Sequence, residues 1–203
     1  MLVKRFQVER SEREQPGTSD GDAYDGSRDS AATKGLTVWF TGLSGAGKTT
    51  ICRGVEADLR AKGLPVEVLD GDAIRNYLCS DLGFSEADRR ENIKRIAYVA
   101  QLLTRNGVVV LVAAISPYRS SREEARQAIG NFLEVYVNAP LEVCEARDTK
   151  GLYRRARAGK IAGFTGIDQP YEAPMAAELE CLTDRESAAE SCARVTASVL
   201  KFL

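Results

Sequence analysis

The sequence contains no histidine. Imidazole is therefore excluded as general base, nucleophile or metal ligand, and proton or metal work falls to carboxylates. Its five cysteines (Cys52, Cys79, Cys144, Cys181, Cys192) are dispersed and form no CxxC pair. An odd, scattered set argues against a disulfide framework and for reduced thiols in a cytosolic protein, with a regulatory disulfide left open. No run approaches the roughly 18 apolar residues that a membrane span needs. Net charge is −1, so the chain lacks the global basic field of nucleic-acid binders. The opening MLVKRFQVERSERE places charges where a signal peptide carries its apolar core. Secretion is not expected, and the cytoplasm is the expected location.

What is present fits one domain: 203 residues can bury a proper core. Residues 1–34 are polar and mixed in charge, and PGTSDGDAYDGSRDS has no apolar period. This stretch is expected to be a disordered or loosely docked tail before a domain over 35–203.

From Gly35 onward strand-like and helix-like segments alternate. LTVWFT (36–41) reads as a strand, then a glycine loop and a helix to about Lys62. Gly63 stops that helix, and PVEVLD (65–70) is a second strand. Ser85 with Asp88 resembles a capping box opening a helix to about Arg105, with Ile93, Ile96, Ala97, Ala100 and Leu103 inward. VVVLVAAI (108–115) is apolar without alternation, as in a parallel strand buried on both faces. RSSREEARQAI (119–129) reads as helix and FLEVYVNAP (132–140) as strand. The order predicts a doubly wound parallel α/β sheet flanked by helices, with ligands beyond the carboxyl ends of its strands.

GLSGAGKTT (42–50) fits G-x-x-x-x-G-K-[ST] between a strand and a helix, the P-loop context. Glycines let consecutive N–H groups turn inward toward phosphate oxygens, and the following helix adds the positive end of its dipole. Gly42, Leu43, Ser44, Gly45, Ala46, Gly47, Lys48, Thr49 and Thr50 are thus the expected ATP contacts. Lys48 would reach the β- and γ-phosphates, and Thr49 would ligate Mg²⁺. No Asn-Lys-x-Asp motif exists, which argues against a regulatory GTPase; a DxxG match at Asp148–Gly151 reads as coincidence. LDGDAIR follows the second strand instead. Its Asp70 and Asp72 could be a plain helix-start turn with Asp72 as N-cap. In a chain without histidine they are also the leading carboxylates for Mg²⁺ and for the attacking hydroxyl.

GLSGAGKTT, LDGDAIR, LGFSEADRRENIKR, ISPYRSSR and RDTKGLYRRARAGKIAGFTGIDQPYE, in this order, resemble the adenylylsulfate kinase (adenosine 5′-phosphosulfate kinase) family from about Gly35 to the C-terminus. The resemblance implies a P-loop NTPase-type fold with a basic lid. It also implies transfer of a phosphoryl group from ATP to the ribose 3′-hydroxyl of adenosine 5′-phosphosulfate. It assigns Asp72 and Arg75 to the substrate, Phe84 and Phe164 to its adenine, and Arg89 and Asn92 to its phosphosulfate and ribose oxygens. Ile115 and Ser116 line the same pocket, with Ser116 marked as a phosphoserine intermediate. Lys150, Gly151 and Thr165 belong to the lid, and Arg147 lies on the ATP side. A homodimer is implied, and an ATP sulfurylase is a candidate partner; neither nucleic acid nor membrane is.

The residues also have plainer readings. Arg89 and Asn92 could be solvated helix surface, and Phe84 and Phe164 could be core. The basic run Arg147, Lys150, Arg154, Arg155, Arg157 and Lys160 could be surface charge rather than a water-excluding cover. Two departures stand out: Ala73 replaces the family's usual asparagine, and the tail lacks the family's basic, histidine-bearing leader. With no histidine to activate Ser116, direct transfer is expected, with Asp72 orienting the hydroxyl and Asp70 reaching Mg²⁺ through water. Rival readings are another small-molecule kinase on this fold, or a nucleotide-binding module without turnover. LGF and FTGID favour the first assignment.

Overall fold

A computed structural model describes residues 34–203. The tail expected over 1–34 lies outside the described residues except for Lys34. The elements run β1 (Leu36–Thr41), α1 (Lys48–Ala61), β2 (Val66–Asp70), α2 (Gly71–Tyr77), α3 (Glu86–Thr104) and β3 (Val109–Ala113). They continue with α4 (Arg119–Ile129), β4 (Phe132–Asn138), α5 (Leu141–Arg147), α6 (Leu152–Arg157), β5 (Leu179–Leu182) and α7 (Ala188–Phe202). The five strands form one parallel sheet in the order β2-β3-β1-β4-β5. The path leaves β1 in one direction to β2 and β3, then in the other to β4 and β5, so a crevice opens beyond the carboxyl end of β1.

Strand alternation divides the core in two. Leu36, Val38 and Phe40 face α1 and α7 together with Leu111, Val135, Ile51 and Val55. Trp39 faces α3 and α4, with Val110, Val112, Ile93, Ile96 and Ala100. Each fully buried aliphatic side chain contributes about 1.5–3 kcal/mol, which is why the β-branched runs decide where strands form. The α3 stripe is inward as expected, with Leu103 half-buried at its edge. Ser85 caps α3: its hydroxyl accepts from the Asp88 N–H at 3.1 Å.

Four elements went unread in the sequence, α5, α6, β5 and α7, and the short α2 was read only as a helix-start turn. Thr37 and Thr41 are fully buried on the Trp39 face of β1, and Glu134 is buried on β4. That face is therefore only partly apolar, and its polar groups return below.

All five cysteines are free thiols, four of them buried. Burial pushes Cys52 up to about 12 and Cys181 up to about 11, and raises Cys79, Cys144 and Cys192 as well. Thiolate, the reactive form, is thus scarce at every one. Brief alkylation of the native chain at pH 8 should mark Cys192, the half-buried one, ahead of the other four, and denaturant should expose all five. Intact-mass spectrometry reads both; rapid labelling of Cys52 or Cys181 without denaturant would contradict the packing.

Candidate functional site

A cleft of about 850 Å³ lies beyond the carboxyl ends of β1, β2 and β3. Its floor is the loop between β1 and α1. Gly42 is pressed so closely on β4 that a Cβ there would stand 2.2 Å from the Val137 carbonyl oxygen. Gly47 starts α1 at φ 107°, a left-handed value that side chains resist. The loop therefore curls as no other residue at these positions would allow. Lys48 lies back along it, donating to the carbonyls of Gly42 at 3.0 Å and Leu43 at 2.7 Å. Its ammonium is almost fully buried, and desolvation lowers it to about 8. Thr49 and Thr50 are exposed at the cleft. The Thr49 hydroxyl donates to Asp70 Oδ2 at 3.3 Å.

Asp70, not Asp72, is the N-cap of α2. Its Oδ1 accepts from the N–H groups of Asp72 at 3.0 Å and Ala73 at 3.4 Å. The cap falls there because Asp70 is the last extended residue of β2 (φ −77°, ψ 127°). Asp72 is consequently free to face the cleft, where it meets the Lys150 ammonium from the opposite rim. Ala73 is exposed and does not line the cleft.

The far wall carries the cations. Arg89 is 8 % exposed and bonds only neutral oxygens: Phe84 O at 3.0 Å, Thr165 Oγ1 at 3.0 Å and Gly163 O at 2.5 Å. Arg75 donates to Gly83 O at 2.7 Å and lies 4.6 Å over the Phe84 ring. Burial lowers both guanidinium pKa values, yet both stay charged. Asn92 is 6 % exposed, and its Oδ1 is buried with no partner among the described residues. Two partly desolvated cations and an unused acceptor, all in one cleft wall, leave unmet polar demand that an anionic, hydroxyl-bearing molecule would satisfy.

Phe84 is 60 % exposed, and Phe164 is 8 % exposed, packed edge-on to Tyr153 at 5.0 Å. Both line the cleft. Phe164 thus belongs to the core and to the wall at once, joining the two readings that the sequence left apart. Arg89 and Asn92 are buried rather than solvated surface.

Ser116 is the one non-glycine residue with positive φ (41°) among the described residues. Its hydroxyl, 2 % exposed as a residue, accepts from Trp39 Nε1 at 3.0 Å and donates to Thr41 Oγ1 at 3.0 Å. Thr41 donates in turn to Ile115 O at 2.8 Å, so Tyr171, 2.9 Å away, donates to Thr41.

Of the expected site residues, Ser44, Gly45, Gly47, Ile115, Arg147, Lys150 and Thr165 also line this cleft, whereas Gly42, Leu43, Ala46 and Gly151 do not. Gly42 and Ala46 are buried beneath the loop, Leu43 turns its side chain into the core, and Gly151 starts α6. Arg147 spends its donors on Gly45 O, Thr183 Oγ1 and Thr183 O, at 3.3, 3.1 and 2.6 Å. Thr183 also donates to Ala46 O at 2.7 Å; it went unread because it is distant in sequence and has no motif. In the basic segment only Arg147, Lys150 and Arg155 line the cleft; Arg157 pairs with Glu145 outside it. Asp148 takes the N–H groups of Tyr153 and Arg154 at 3.2 and 3.0 Å, a local capping role that accounts for it without any GTPase motif.

A parallel sheet of this order, with a P-loop closing on a buried lysine and a carboxylate-bearing helix opposite, defines a P-loop kinase fold. The family profile described as adenylylsulphate kinase matches residues 34–182. Adenylyl-sulfate kinases of Synechococcus sp. (strain JA-3-3Ab) and Picosynechococcus sp. (strain ATCC 27264 / PCC 7002 / PR-6) are 65 % and 63 % identical. These matches cover 77 % and 80 % of this chain and 89 % and 92 % of theirs. The structure of the Mycobacterium tuberculosis APS kinase CysC in complex with AMPPNP and APS matches with TM-score 0.77 and 46 % identity. It covers 83 % of this chain and 97 % of the other. The chain belongs to the adenylylsulfate kinase family.

The lowered Lys48 pKa predicts a pH dependence. Phosphate oxygens stabilise the ammonium and raise its pKa on binding, so binding takes up protons wherever the empty site is partly neutral. The affinity of the Mg²⁺-bound ATP analogue, whose terminal phosphate is already ionised, should fall as pH rises through about 8, with about half a proton taken up at pH 8. Calorimetry in buffers of different ionisation enthalpy measures that uptake. Proton release, or none, would contradict the buried state of Lys48.

Proposed function

We infer that the chain transfers the γ-phosphoryl group of ATP to the ribose 3′-hydroxyl of adenosine 5′-phosphosulfate. The products are ADP and 3′-phosphoadenosine 5′-phosphosulfate, the activated sulfate donor of sulfate assimilation. Family membership supports the activity. One observation supports the geometry: a single cleft holds the phosphate loop at one end and Arg75, Arg89, Phe84 and the unpartnered Asn92 at the other. A triphosphate fits the first end. A nucleotide with a second anionic group fits the other, its ring against Phe84 and Phe164.

Phosphoryl transfer passes through a loose transition state, so positioning and charge stabilisation do most of the work. Lys48 and the loop N–H groups hold the β- and γ-phosphates, and Arg147 keeps the loop in shape by tying its carbonyls to Thr183. Thr49 and Asp70 offer a hard-oxygen pair suited to Mg²⁺. Bound there, Mg²⁺ would supply charge neutralisation to the triphosphate.

Asp72 orients the 3′-hydroxyl and accepts its proton as the bond to phosphorus forms. Its partner Lys150 does not block this: both side chains are mostly exposed, and such pairs are worth only about 0–1 kcal/mol. Lys150 and Thr165 close over the acceptor. Ser116 shapes the pocket with Ile115; its hydroxyl, committed to Trp39 and Thr41, is a poor nucleophile, which supports direct transfer. We further propose Asp72 and Lys48 as the catalytic pair, a cytoplasmic homodimer as the working form, and an ATP sulfurylase as the supplier of acceptor.

The test is ADP release with ATP and Mg²⁺, comparing adenosine 5′-phosphosulfate with AMP as acceptor. Turnover with the phosphosulfate alone is expected; turnover with AMP, or with neither, overturns the reading. Asp72→Asn should lower kcat about 10²–10⁴-fold with ATP-analogue affinity unchanged, and a loss under about threefold removes Asp72 from the proton transfer. A chiral γ-phosphate should emerge inverted; net retention would sink direct transfer.

A further inference from the structure

Arg122 lies on α4, outside the cleft, and is 3 % exposed. Its guanidinium reaches three separate segments. Nε donates to Glu134 Oε1 on β4 at 2.7 Å, Nη1 to the Ser116 carbonyl at 2.6 Å, and Nη2 to the Glu172 carbonyl at 2.8 Å. We propose that Arg122 is a positioning residue for the acceptor: it fixes the left-handed Ser116 turn and clamps residues 171–173 beside it. This rests on the reading that the Ser116 wall receives the acceptor.

The plain alternative is a buried ion pair that only stabilises the fold. The distribution of bonds argues otherwise. A fold-stabilising pair needs Glu134 alone, and Glu134 already has a second cation, Arg126, at 3.5 Å. The other two bonds go to backbone carbonyls, one of them at the strained turn. L-residues avoid positive φ unless surroundings over-determine it. Ser116 has its carbonyl held by Arg122 and its hydroxyl held by Trp39 and Thr41, so it cannot relax without breaking both sets.

The 171–173 segment is bound to the same turn. The Glu172 N–H donates to Pro117 O at 2.9 Å, the Arg119 N–H to Glu172 Oε2 at 2.8 Å, and Tyr171 bonds Thr41 on β1. Five residues separate the segment from Thr165, and Phe164 and Thr165 line the cleft. Arg89 ties Thr165 to α3 upstream, and Arg122 ties Glu172 to α4 downstream. The wall that carries Phe164 is thus fastened at both ends by arginines. A lysine cannot replace Arg122, because a single ammonium on a flexible stem does not reproduce a planar fork with divergent donors.

Trp39 gives the test a direct readout. It is the sole tryptophan of the chain, and its indole N–H bonds Ser116 Oγ. Its single indole ¹H–¹⁵N resonance therefore reports the turn. In the full chain, Arg122→Lys should raise KM for adenosine 5′-phosphosulfate by about tenfold or more. AMPPNP affinity should stay within about twofold, and the indole resonance should shift or split. Glu134→Gln keeps an acceptor for Nε but loses its charge, and should move the same readouts in the same direction by less. If Arg122→Lys does not fold, Glu134→Gln decides on those readouts.

An unchanged acceptor KM with an unmoved indole resonance overturns the proposal, as does a parallel loss of AMPPNP affinity. The wild-type control separates the two readings. An inactive wild type defeats the proposed function and takes this inference with it. An active wild type beside an indifferent variant defeats this inference alone.

Discussion

The contact on which the rest of the site depends is the Lys48 ammonium folded back on the carbonyls of Gly42 and Leu43. It draws the loop into a ring and strips the ammonium of water, at a cost recorded in the pKa lowered to about 8. Everything around the loop keeps that ring from opening. Gly42 sits flush on β4, Arg147 and Thr183 hold the outer carbonyls, and the Tyr153 hydroxyl donates to Ser44 O at 2.9 Å. A desolvated cation beside the loop's backbone N–H groups favours phosphate more than the same groups in water could.

The far wall of the cleft uses the same logic with different groups. Arg75 and Arg89 bond to carbonyls and an aromatic ring rather than to carboxylates, so their charge is positioned but not neutralised. Behind them the Trp39 face of the sheet carries a polar layer: Thr41, Ser116, Tyr171, Arg122 and Glu134. Such a layer is costly unless every member finds partners. Here the hydrogens can be assigned without conflict from Trp39 through Ser116 to Thr41, and from Tyr171 to Thr41. The face that departs from apolar packing is the face that underlies the cleft wall at Ser116.

Much of this was legible in the sequence, and the limits have physical causes. Leu36–Thr41 and Arg119–Ile129 were read to the residue, because local pattern and local stops coincide there. The phosphate loop was legible because its chemistry is local: nine consecutive residues make it. The plain alternative put the cap of α2 at Asp72 rather than Asp70, because two aspartates sit two apart and only backbone angles say which residue ends the strand. Arg89 and Asn92 were placed in the site only by the resemblance, since a helix polar stripe reads alike whether it faces water or a cleft. Thr183 and the Arg122–Glu134 pair were out of reach. Thr183 meets Ala46 across 137 positions, and no period or motif links such residues.

The segment from Arg147 to Thr165 ties the two ends of the cleft together. Arg147 braces the phosphate loop, Lys150 meets Asp72, and Phe164 and Thr165 belong to the far wall of the cleft. Tyr153, in the middle, bonds the loop through its hydroxyl and packs its ring on Phe164. A shift of this segment therefore changes both subsites, because packed side chains transmit displacement rather than absorb it. The weak link is the exposed Lys150–Asp72 pair, while Arg147, Tyr153 and Arg89 are partly or wholly buried and multiply bonded. The rim contact of this segment is thus its most easily broken one, and its base is held to the phosphate loop.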